Sequence, residues 1–266
     1  MSDYVRNHEE VIPQETRHTI SIRYQTITKA INRAFWFSES DSAHSFYVGS
    51  YGRGTAIDAS DIDILVQLPD DYYDKYNEKV SENGQSRLLS AVRTAIHTAY
   101  PRSNVHADGQ VVIIDFSDGM RFEVLPAFLR YDGSYTHPDT NHGGSWSITY
   151  PKGEQKALKE LNERSNGLCF DTCKHMRRIR DKEFSSYKLS GIAIDSFVWE
   201  AIGNWHWTND GEGASSKWGD YELYLWEYYE RNVKGRSYLN TPGNCDIVML
   251  QKSRMCLEKV LNHMVG

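Results

Sequence analysis

The sequence predicts an α+β fold: a half that mixes strands with helices, followed by an all-helical half. Over the first 130 residues, short β-rich runs alternate with two long helical patterns. Beyond about Tyr150 the strand signal gives way to successive segments of helical composition. The chain has 266 residues, 39% hydrophobic and 25% charged, enough for one large domain or two small ones with a substantial core. That composition sets aside disordered, collagen-like and coiled-coil readings.

The elements follow in order. Between 13 and 36 the apolar positions Ile20, Tyr24, Ile27, Ile31 and Phe35 fall at steps of three and four, predicting a long amphipathic helix. HSFYVGS (44–50) reads as a short strand running into a Gly-rich turn. DIDILVQL (61–68) is a strand stopped by Pro69. Ser81 is placed to cap a helix through about Tyr100, with Leu88, Leu89, Val92, Ile96 and Ala99 facing inward. QVVIIDF (110–116) and RFEVLPAF (121–128) form a hairpin candidate, and Asp118-Gly119 suits its tight turn. Helices are then expected at roughly 152–167, 168–183, 190–206, 216–231 and 245–264. The expected division is 1–150 for the first half, with its long N-terminal helix, and 151–266 for the helical lobe. A ligand cleft is expected between them.

Net charge is −6, so no strong global field draws the chain to nucleic acid or to an anionic membrane. No apolar run approaches the ~20 residues of a membrane helix. The polar start, MSDYVRNHEEVIPQ, lacks the apolar core of a secretory signal, so a cytoplasmic location is expected. Four cysteines make no disulfide framework. Cys169 and Cys173 stand at i,i+4 near His175, but no second pair has ligand spacing, and packing is the expected role.

The chemistry concentrates in VGSYGRGTAIDASDIDILVQ (48–67). Gly49 and Ser50 end a strand, where backbone N–H groups and a hydroxyl can face a phosphate. Asp61 and Asp63 follow on a strand whose apolar Ile62, Ile64 and Val66 alternate around them. Residues i and i+2 share one face, about 6.6 Å apart along the strand, so the two carboxylates can hold divalent cations through oxygen. Acids spaced for a metal beside a phosphate-holding turn are what metal-assisted nucleotidyl transfer requires. Glu123 is the candidate third acid, sharing a face with Arg121 and Leu125. Asp115, two residues before its turn, is the rival.

At these residues the sequence resembles the DNA polymerase β-like nucleotidyltransferase superfamily, whose signature is a Gly-Ser turn, an acid-x-acid strand and a later third acid. GSYGRGTAIDASDIDILV is most similar to the oligoadenylate synthase and cyclic GMP–AMP synthase branch, in particular the bacterial cGAS/DncV-like nucleotidyltransferases of anti-phage signalling. FEVLPAF resembles the third-acid strand. SWSITYPKGEQKALKELNERSNG resembles the passage into the helical lobe, and EFSSYKLSG the segment that holds the triphosphate and stacks on a base.

The resemblance implies a mixed-sheet core with the active site in a cleft against a C-terminal helical lobe. It implies that Asp61, Asp63 and Glu123 are catalytic and bind two Mg²⁺, with Mn²⁺ a possible substitute. Gly49 and Ser50 would hold phosphates, Lys174 and Ser186 would contact the triphosphate, and Tyr187 would stack on a base. Nothing between Trp146 and Lys174 matches the His/Cys zinc insertion of the DNA-sensing vertebrate enzyme, so neither zinc nor activation by DNA through that device is expected.

For the weaker residues the plain readings stand beside the functional ones. Lys174 in KHMRRIR either meets phosphate or belongs to a solvated helix face, and Tyr187 either stacks on a base or packs in the core. Arg53 either touches phosphate or solvates its turn. The patch from Trp199 to Tyr229 reads as packing of the second lobe, with a base-stacking surface as the functional alternative. The implied activity joins NTPs into a cyclic di- or trinucleotide that acts on a separate effector protein, with no membrane partner. Linear oligoadenylate synthesis, RNA-end addition and protein nucleotidylation of the toxin–antitoxin type are the alternatives.

Overall fold

The computed structural model describes residues 3–8, 12–77, 83–209, 211, 213 and 216–266, which divide into two compact units. One contains the main sheet and comprises residues 12–52 and 58–151. The other is mainly helical and comprises the start of the chain, residues 53–57 and residues 152–266.

In the sheet unit, α1 (Gln14–Ile31) buries Ile20, Ile27 and Ile31, the stripe its spacing predicts. A π-helical turn, Asn32–Trp36, extends it to the buried Phe35 and stops at Phe37, which is left-handed. Asn32 then donates to the carbonyls of Ser40 and Ala43, and Trp36 Nε1 donates to the carbonyl of Gln67, all at 2.9 Å. These bonds lead the chain into β1 (Ser45–Tyr47). The Gly-rich turn expected next is instead a short helix, α2 (Gly49–Arg53), in which Gly52 N–H donates to the Val48 carbonyl.

β2 (Asp61–Gln67) is followed by α3 (Asp70–Asn77) and α4 (Gly84–Ala99). The expected cap Ser81 lies outside the described residues; Asn83 caps α4, its side chain accepting from Ser86 N–H at 3.1 Å. β3 (Asn104–Asp108), β4 (Val111–Asp115), β5 (Arg121–Leu129), β6 (Tyr135–Asp139) and β7 (Ser145–Thr149) complete the unit. The sheet runs β1-β2-β5-β4-β3, with β6 joining the far end of β5 and β7 pairing β6. Every pairing is antiparallel except β2 with β5, so the sheet is mixed as expected. The core lies between this sheet and the two long helices. Ile62, Ile64, Val66, Phe122 and Val124 meet Ile20, Ile27, Leu88, Val92 and Ile96 there.

The helical unit contains α5 (Pro151–Arg164), α6 (Leu168–Glu183), α7 (Gly191–Ala201), α8 (Asp220–Tyr228) and α9 (Arg254–Val265). Three expected helices are shorter than their patterns. The third ends at Ala201, before Gly203 turns left-handed, and the fourth starts only after Gly219 at φ +92°. The first part of the fifth is strand: β9 (Ile247–Met249) pairs with β8 (Tyr238–Asn240). Cys169 and Cys173 are fully buried packing residues. Tyr221 and Tyr229 are core as well, whereas Trp218 lies outside its helix and is 80% exposed.

The start of the chain is sewn onto α6 and α8. Val5 N–H donates to Glu222 and His8 N–H to Asp171, both at 2.8 Å. His175 Nε2 lies 2.9 Å from the Asp3 carbonyl and must donate to it. Its Nδ1 is then the acceptor for His8 Nε2–H at 3.1 Å. Burial, followed by the neighbouring His175, lowers His8 to about 4, which keeps that pair neutral at pH 7.

Phe122 is fully buried at the centre of the sheet core. Phe122→Ala is expected to destabilise the sheet unit by about 3–5 kcal/mol, read as a lowered urea midpoint for the transition that unfolds the strands.

Candidate active site

Parallel pairing of β2 with β5 aligns Asp61 with Arg121 and Asp63 with Glu123. Because Ile62, Ile64, Phe122 and Val124 all point into the core, the four charged side chains share the opposite face. Neighbouring strands run about 4.8 Å apart, so Asp63 and Glu123 stand side by side. Burial, and after it the Asp61 carboxylate, pushes the Glu123 carboxyl above the ordinary range, while Arg121 pulls it back. Like charges have been gathered on one face, where Asp61 is exposed and Asp63 and Glu123 are half-buried.

Asp115, the rival third acid, is committed elsewhere. Its Oδ1 accepts from Arg121 Nε and its Oδ2 from Asn104 Nδ2, both at 2.9 Å. The hydrogen bond from Arg121 lowers its carboxyl below the ordinary range. Arg121 thus carries a fixed positive charge beside Asp61 and Glu123, a feature that its place on the strand face hints at but no motif announces.

Gly49 sits against this group. Its φ is +59°, and a Cβ built there would lie 1.8 Å from Asp63 Oδ2. The Asp63 carboxylate therefore occupies the space a side chain would fill, while the Asp63 carbonyl accepts from Val48 N–H at 2.9 Å. Ser50 follows directly in α2. The structure thus brings Gly49, Asp61, Asp63 and Glu123 together, with Ser50 adjoining.

Three carboxylates on one face are the hard oxygen donors that a divalent cation takes, and the cradle over Gly49 leaves Asp63 room to serve. Among the described residues no three His, Cys, Asp or Glu side chains converge to chelating distance as they stand. The residue types, three carboxylates, fit the ion.

The remaining predicted residues belong to the helical unit. Lys174 lies on α6, and its Nζ donates to the His8 carbonyl at 3.2 Å, tying down the start of the chain. Ser186 and Tyr187 follow α6 in an exposed turn, closed by Tyr187 N–H donating to the Phe184 carbonyl at 2.9 Å. Tyr187 is not core: the residue is 38% exposed, with the Lys259 ammonium 4.9 Å from the centre of its ring. Lys259 escapes a reading of the sequence because α9 bears no motif and meets Tyr187 only in the fold.

Gly49→Ala and Gly119→Ala separate backbone strain from site damage. Both glycines have positive φ, but nothing lies within 4 Å of a Cβ at Gly119. Each change is expected to cost about 1–2 kcal/mol of stability. Gly49→Ala additionally displaces Asp63 and abolishes turnover, whereas Gly119→Ala retains it; melting temperature and product formation measured together check this.

Comparison with known proteins places the chain in a family and a fold. Residues 3–162 match the family model of the Second Messenger Oligonucleotide or Dinucleotide Synthetase domain. A cyclic AMP-AMP-AMP synthase from Acinetobacter sp. (strain ATCC 27244 / 9458) is 28% identical over 158 residues, which are 58% of this chain and 45% of that relative. The chain thus aligns with less than half of that relative's length. In fold, the chain resembles the CdnE cyclic dinucleotide synthase of Elizabethkingia meningoseptica, solved with GTP and Apcpp, at a TM-score of 0.63 and 14% identity, covering 93% of this chain and 89% of the other. It also resembles the di-nucleotide cyclase (DncV) of Vibrio cholerae, at a TM-score of 0.61 and 12% identity, covering 96% and 84%. No helix among the described residues is long and apolar enough to cross a membrane. The matched region takes in more than half of the chain, including β2 and β5, and the chain belongs to the Second Messenger Oligonucleotide or Dinucleotide Synthetase family, a family of metal-dependent nucleotidyltransferases.

Proposed function

We propose that this protein condenses NTPs into a cyclic di- or trinucleotide second messenger with release of pyrophosphate, and that the product acts on a separate effector protein in anti-phage defence. The observation that carries the reading is the register of Asp63 with Glu123, with Asp61 on the same face and Gly49 packed against Asp63. The relatives support it: one is a synthase of a cyclic trinucleotide and another of cyclic dinucleotides.

Asp61, Asp63 and Glu123 would hold Mg²⁺, two ions in the form the family resemblance implies, with Mn²⁺ able to substitute. When bound, the ions neutralise triphosphate charge and acidify the attacking hydroxyl. The protein's own groups account for the rest. The Ser50 hydroxyl and the backbone at Gly49 donate to phosphate oxygens. Glu123, whose carboxyl is the more basic for its burial, accepts the proton of the attacking ribose hydroxyl. Tyr187 offers an aromatic face to a base, a contact of about 1–3 kcal/mol. Attack on the α-phosphorus forms a linear intermediate, and a second attack within the same site closes the ring.

Incubation with labelled NTPs and Mg²⁺, followed by phosphatase, tests the reading. A phosphatase-resistant product is expected, and it should fall about a thousandfold or more in Asp61→Asn/Asp63→Asn. A phosphatase-sensitive ladder would instead mean linear chains, and label on a polypeptide would mean protein nucleotidylation. Turnover that survives the double substitution would overturn the metal assignment.

A further inference from the structure

Arg53 ends α2 three residues after Ser50, and the sequence leaves it between phosphate ligand and solvated charge. In the structure it is neither exposed nor unpartnered. Its side chain is 10% exposed, Nε donates to Asp195 Oδ2 at 2.8 Å, and Nη1 lies 3.5 Å from Glu154 Oε2. The two residues that follow are seated as firmly. Gly54 at φ +78° has no room for a Cβ, which would meet the Phe170 ring at 2.7 Å. Thr55 is fully buried and donates from Oγ1 to the same Asp195 Oδ2 at 3.1 Å.

Asp195 has no exposed surface, yet its charge is already balanced without Arg53. Arg177, on α6, forks onto both of its oxygens, with Nη1 at 2.7 Å from Oδ1 and Nη2 at 2.9 Å from Oδ2. Arg177 is itself oriented by the carbonyls of Cys173 and Gly191. Burial works to raise the Asp195 carboxyl, but Arg177 and then Arg53 hold it at about 2, so it stays ionised. Oδ2 therefore takes three donors, two of them from residues 53–55. A carboxylate that needed only neutralising would be complete with the Arg177 fork.

We infer that Arg53 and Thr55 are positioning residues: docked on Asp195, they hold the end of α2 and thereby orient Ser50 and Gly49 for the triphosphate. This rests on the phosphate-holding reading of those two residues. Arg53 acts through α2, and its planar fork is the feature that matters. Lysine, a point charge, cannot reproduce the Nε and Nη1 directions together.

Two measurements on the full chain test the inference. Hydrogen–deuterium exchange without nucleotide reads the tether directly. Arg53→Ala should accelerate exchange at the Gly52 amide, which bonds the Val48 carbonyl, and leave α6 and α7 protected because Arg177 still pairs Asp195. Unchanged exchange at Gly52 overturns the inference whatever the turnover. Pyrophosphate release from an equimolar mixture of the four NTPs with Mg²⁺ reads the consequence. For Arg53→Ala, kcat/KM is expected to fall on the order of 100-fold with Tm within about 5 °C of the parent, and Arg53→Lys should lie between them. In a Ser50→Ala background, Arg53→Ala should cost little more. Full multiplication of the two losses, or an Arg53→Ala enzyme as active as the parent, would overturn the proposal. A parent chain that releases no pyrophosphate defeats the functional reading instead, and the exchange result still decides the tether.

Discussion

Over seven residues β2 runs parallel to β5 in unbroken register, and this one pairing decides where the acids stand. The alternation of each strand sends its apolar residues into the core. The register then makes the two polar faces coincide. A slip of one residue would carry Asp61 and Asp63 into the hydrophobic layer and leave Ile62 and Ile64 in water. The core that packs Phe122 and Ile64 against α1 and α4 thus also holds Asp63 beside Glu123.

That arrangement works against itself without a counterion. Glu123 is partly buried, and the Asp61 charge adds to the penalty of ionising it. Arg121 offsets part of the repulsion but is held by Asp115. Gly49 lets the Asp63 carboxylate lie against the backbone that leads to Ser50. The net charge of −6, which by itself argues against phosphate-rich partners, has some of its acid gathered where a cation would reverse the local sign. Small nucleotides remain compatible with that balance, whereas a long polymer gains little from it.

Part of this was legible in the sequence because it is local. Asp-x-Asp on an alternating strand and a Gly-Ser pair just upstream are patterns a few residues long, and the alternation of RFEVL places Glu123 on the polar face. The short strands β3, β6 and β7 are not legible in the same way. Their residues are mixed, and pairing with neighbours rather than periodicity makes them strands; β6 even carries Pro138. The helix expected over 245–264 begins as strand because β9 pairs with β8, a tertiary contact that outweighs local propensity. Arg53 shows the limit most clearly. Its partner Asp195 lies 142 residues away, and no spacing rule connects them. Tyr187 with Lys259 is the same case at the surface.

The account stands on carboxylates whose crowding a cation relieves. A carboxyl-detected NMR titration of Glu123, assigned with Glu123→Gln, measures that crowding directly. In metal-free protein its pKa should lie above the ordinary value of about 4.3, so the group loses its charge earlier than a free glutamate as pH falls. Saturating Mg²⁺ should bring it below that value, because the ion favours the charged form. A Glu123 pKa that is ordinary without metal, or that Mg²⁺ leaves unmoved, would contradict the account.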